Sequence, residues 1–71
     1  MQEREYLTIL GERIKSLRRK KKLTLSALCY KNGLEPPTIL RIEKAQVEAK
    51  YITLLKLARA FDLELHELLK F

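Results

Sequence analysis

Apolar residues recur along this chain at helical rather than strand spacing. Leu7, Leu10, Ile14 and Leu17 are three or four positions apart, the interval that lines one face of an α-helix. Glu3, Glu5, Glu12 and the basic residues from Arg13 to Lys22 fill the other faces. Acidic residues come early and basic residues late, the order a helix dipole favours. The pattern predicts a first helix from about Arg4 to Lys21, with Met1 to Glu5 a short, charged, frayed start. Gly11 weakens that helix locally and marks a place where another helix packs closely.

Thr24 is positioned as the N-cap of a second helix, from Leu25 to about Lys31. A third begins at Pro36-Pro37, because prolines in a first turn cost no internal hydrogen bond. Glu35 adds favourable negative charge there, and the helix should run to about Lys44, with Ala45 to Lys50 a loop. A fourth, from Tyr51 to about Phe61, buries Leu54, Leu57, Ala58 and Phe61. Asp62 marks the next break, and a fifth, from Leu65 to about Lys70, buries Leu65, Leu68 and Leu69. The expectation is an all-α fold of five short helices in one domain, residues 1–71.

The stretch from Leu23 to Glu43 is the most telling. Leu28, Leu34, Ile39 and Ile42 are spaced to bury one face of two short helices. Asn32-Gly33 falls where the chain must leave the first of them in a left-handed conformation. Cys29 supplies a small residue where two steeply crossed helices leave no room for bulk. Two helices joined by a tight glycine-containing turn form the unit that places its second helix in the DNA major groove.

Composition agrees with that reading. With 71 residues, 46% of them hydrophobic, and only two glycines and two prolines, the chain has the makings of a compact bundle. Fifteen Lys and Arg against nine Asp and Glu leave a net charge of +6, which favours a polyanionic partner through counterion release. The single cysteine makes no internal disulfide, which suits a reducing cytoplasm. No apolar run approaches the ~20 residues that cross a bilayer. His66 has no carboxylate–histidine or cysteine–histidine constellation beside it, and there is no glycine-rich phosphate loop or serine elbow. Neither an enzyme nor a metal or cofactor is expected.

From Leu10 to Leu69 the chain resembles the lambda-repressor-like, or Cro/Xre-like, helix-turn-helix domains. The matching pieces are Leu10-Gly11-Glu12-Arg13-Ile14-Lys15-Ser16-Leu17-Arg18, Leu23-Thr24, Asn32-Gly33-Leu34, Arg41-Ile42-Glu43, Thr53-Leu54-Leu55-Lys56-Leu57-Ala58 and Glu67-Leu68. The resemblance implies a five-helix fold and a sequence-specific double-stranded DNA-binding transcriptional regulator. Such a protein acts as a repressor, as a homodimer on a two-fold operator, in the cytoplasm at the nucleoid. Carried over by position, Arg41 points toward base edges, and Thr38 meets phosphate or a thymine methyl. Lys44, Gln46 and Lys50 meet phosphates. Thr24 and Leu25 open the helix that lies across the groove's rim. Arg18 and Glu43 match a pair that joins helices one and three, while Lys20 to Lys22 read as a solvated helix end.

The chain departs from the family pattern at three places. Leu25 stands where glutamine often reaches the DNA backbone, Pro36-Pro37 where polar base readers are common, and Leu40 at an outward polar position. Leu40 and the prolines suit apolar contact with thymine methyls. They equally suit a second expectation, a protein-interaction module, or antitoxin-type partner binder, that keeps the fold with weak or non-specific DNA binding. Leu55, Leu69 and Phe71 are candidates for a dimer contact.

Overall fold

The computed structural model describes residues 2–71. Five helices follow one another: α1 (Glu3–Lys20), α2 (Leu25–Tyr30), α3 (Pro36–Glu43), α4 (Tyr51–Ala60) and α5 (Leu65–Leu68). No strand occurs among the described residues. Each expected helix is present, and the later four end one or two residues short of their expected limits. The first starts earlier than expected: Glu3 to Glu5 form its opening turn, where a frayed start was expected. The backbone N–H of Gln2 donates to Glu5 Oε1 at 3.2 Å, which fixes that turn. Met1 lies outside the described residues.

Ile14, Leu28, Ile39, Ile42, Leu57 and Leu68 are fully buried and draw on all five helices, with Cys29, Ala58 and Phe61 completing the core. Burial of each such side chain contributes about 1.5–3 kcal/mol, which is how a chain this short sustains a fold. Leu69, read from sequence both as a core residue and as a candidate dimer contact, is exposed rather than in the core. Helix α1 packs on α3, α2 on α3, and α4 on α5.

Four helices end in the same way. The N–H of the residue just past the left-handed position donates back to a carbonyl five residues earlier: Leu23 to Arg18 O, Leu34 to Cys29 O, Gln46 to Arg41 O, and Leu63 to Ala58 O. Such closures need one residue at positive φ. Gly33 provides it after α2 (φ 64), but Lys22, Ala45 and Asp62 adopt φ of 56, 59 and 58 without being glycine. Left-handed backbone costs an L-residue on the order of 1 kcal/mol. Lys22 is exposed, so Lys22→Gly should raise stability by about 0.5–1 kcal/mol. Urea unfolding would register this as a higher midpoint at unchanged slope, and an unchanged or lower midpoint would count against the strain.

Arg13 ties down the far end. Its Nε donates to Leu68 O at 3.1 Å and its Nη2 to Glu67 O at 2.9 Å, closing the four-residue α5 with a cation where the helix dipole favours one.

Candidate nucleic-acid interface

Helix α3 is the element to explain. Pro36 and Pro37 occupy its first two positions, where a missing N–H leaves no bond unmade. Ile39, Ile42 and Glu43 face inward and are buried, while Pro37, Leu40, Arg41 and Lys44 are exposed. Those four positions, spaced i, i+3, i+4 and i+7, make one continuous outward stripe. All four are exposed, Leu40 at 38%.

Two contacts from α1 set the position of α3. Gly11 is one: a Cβ built there would lie 2.6 Å from the carbonyl oxygens of both Ile42 and Glu43, so only glycine lets the helices approach this closely. The other is a forked ion pair. Arg18 Nε donates to Glu43 Oε2 at 2.8 Å and Nη2 to Oε1 at 3.0 Å, while Nη1 donates to Leu23 O at 2.9 Å. The Glu43 side chain is 2% exposed and Arg18 14%. Hydrogen bonding to Glu43 outweighs the cost of desolvation and raises the Arg18 pKa further. Burial pushes the neighbouring Cys29 thiol up as well, and the Glu43 charge adds to this. A thiol held neutral is a poor nucleophile, in keeping with a packing role for Cys29.

Helix α2 begins as expected, with Thr24 Oγ1 accepting from the Ala27 N–H at 3.0 Å. Gly33, at positive φ, turns the chain toward α3. The turn is held from α4 by Lys56, whose Nζ donates to Gly33 O at 3.1 Å.

Among the site residues expected from sequence, Pro37, Leu40, Arg41, Lys44, Gln46 and Lys50 are exposed, as is Thr24. Thr38 is half-buried, and with Lys50 it lines a cleft between α3 and α4 that also contains Glu35 and Glu48. Pro36 is half-buried. Leu25 is half-buried and packs against the core. Leu40 remains 38% exposed. The sequence reading missed Lys56 and Arg13, whose partners are main-chain carbonyls 23 and 54–55 residues distant. No residue pattern signals such bonds.

A family model described as a helix-turn-helix domain matches residues 9–71. The chain belongs to the helix-turn-helix domain family. This bears out the resemblance read from the sequence. The crystal structure of the restriction-modification controller protein C.AhdI from Aeromonas hydrophila is similar, with a TM-score of 0.82 and 34% sequence identity. The match covers 87% of this chain and 94% of that one. No curated protein sequence matches the chain. In this helix-turn-helix domain α2 and α3 are the two motif helices, and no helix among the described residues is long and apolar enough to cross a membrane.

Proposed function

We propose that the chain is a sequence-specific, double-stranded DNA-binding transcriptional regulator that acts as a repressor in the cytoplasm. What carries this reading is the exposed stripe of Pro37, Leu40, Arg41 and Lys44 on the second helix of the motif. Net charge of +6 supports a polyanionic partner.

Arg41 is the base reader, able to donate two hydrogen bonds to guanine O6 and N7. Lys44, Gln46 and Lys50 lie around the end of α3 and the loop after it, where they anchor to phosphate. Thr24, Leu25, Pro36 and Thr38 border that surface. Two copies would set their α3 helices about 34 Å apart, one turn of DNA. Exposed Tyr51 and Ile52 on α4, with Leu69 and Phe71 beyond α5, offer apolar surface for such a dimer, whereas Leu55 is half-buried.

Arg41→Ala should relax base choice, losing about 1–3 kcal/mol of discrimination. Lys44→Ala and Lys50→Ala should weaken all duplexes about equally and flatten the salt dependence. Gel shifts titrated with salt, on DNA selected from a random pool and on a shuffled duplex, separate these behaviours. Three variants that respond alike would overturn the division of roles. The exposed, apolar Pro37–Leu40 pair favours a second reading, a protein-binding module, which weak and sequence-indifferent retention at moderate salt would support.

A further inference from the structure

The outward stripe of α3 carries an unusual mixture for a surface meeting base edges. Arg41 is a strong donor and Lys44 a point charge. Between them and the helix start, Pro37 and Leu40 offer no side-chain donor or acceptor. The other expected polar contact on this helix, Thr38, is turned to the cleft with Lys50. Leu40 cannot escape inward, because Ile39 and Ile42 already fill the buried face. On DNA, an exposed leucine one turn from an exposed proline needs an apolar feature to cover. The major groove presents one such group, the methyl at C5 of a pyrimidine. Leu40 and Arg41 are successive residues at the two edges of this stripe, about 1.5 Å apart along the helix axis and roughly 100° apart around it, so with Arg41 on a guanine Leu40 is offered to the neighbouring base step.

We propose that Leu40, backed by Pro37, is a specificity-determining residue that recognises a 5-methylpyrimidine adjacent to the guanine bound by Arg41. Thymine and 5-methylcytosine present the same methyl at this place, and either satisfies the chemistry. The inference rests on the DNA-reading assignment above and names the base step that assignment leaves open.

The test uses the full chain and a duplex selected from a random pool. Each thymine is replaced in turn by deoxyuridine, which lacks only the methyl. At the same position cytosine and 5-methylcytosine are compared. Loss of one buried methyl corresponds to a three- to fivefold weakening, roughly. Wild-type protein should show that loss at a pyrimidine flanking the guanine, in the thymine arm, the cytosine arm or both, and the arm affected identifies the source. Leu40→Ala should bind methylated and unmethylated duplexes alike, yet still prefer the guanine. Wild-type indifference to the methyl at every position overturns the inference, as does a methyl effect that survives in Leu40→Ala. A pool that yields no preferred sequence overturns the regulator reading and this inference together.

Discussion

Gly11→Ala is expected to lower the melting temperature by roughly 10–20 °C. Helix propensity alone argues the other way, since alanine gains about 1 kcal/mol over glycine inside a helix. The geometry decides. A Cβ at this position would sit 2.6 Å from two α3 carbonyl oxygens and 2.9 Å from the Glu43 carbonyl carbon. These are backbone atoms at the end of a helix, which no rotamer change moves aside. Helices α1 and α3 must separate, and Arg18 and Glu43 with them. Calorimetry provides the measurement, and a melting temperature at or above wild type would mean that the close approach is absent. DNA binding should fall beyond what unfolding explains, because α3 itself is displaced.

Arg18→Ala should cost about 3–5 kcal/mol. Three hydrogen bonds disappear, but the larger part is the Glu43 carboxylate, 2% exposed and left without a counter-charge. At about 0.05–0.15 kcal/mol per residue, a chain of 71 residues would lose much or all of its stability. The pair itself is worth less than either deletion implies, since apolar replacements of similar volume can stand in for a buried ion pair. The double variant Arg18→Met, Glu43→Leu should therefore recover most of the loss. Urea unfolding of the two proteins gives the comparison. A single variant within 1 kcal/mol, roughly, of wild type, or a double variant no better than the single, would count against this account.

The five helices were legible because Leu10, Ile14 and Leu17, or Leu54, Leu57 and Phe61, repeat at an interval that only a helix satisfies. Gly11 was legible as a close approach, since a glycine amid strong helix formers needs a reason. Helix ends were less so. Lys22 and Ala45 adopt a conformation that their side chains disfavour, and nothing in residue type announces it. Leu25 illustrates a different limit: its position in the motif suggested an outward role, and residue type does not tell that part of the side chain also packs against the core. Exposure of Leu40, by contrast, followed from Ile39 and Ile42 on either side.

Clamping at Glu43 has one more implication. The glycine contact and the ion pair both come from α1, the longest helix among the described residues, and both grip the same end of α3. On the DNA-reading assignment, the probe therefore arrives preset, with little internal freedom left to surrender on docking. Any adjustment between the two surfaces falls to the duplex, whose willingness to bend varies from one base step to the next. Flanking pairs that no side chain touches would then influence how tightly an operator is held.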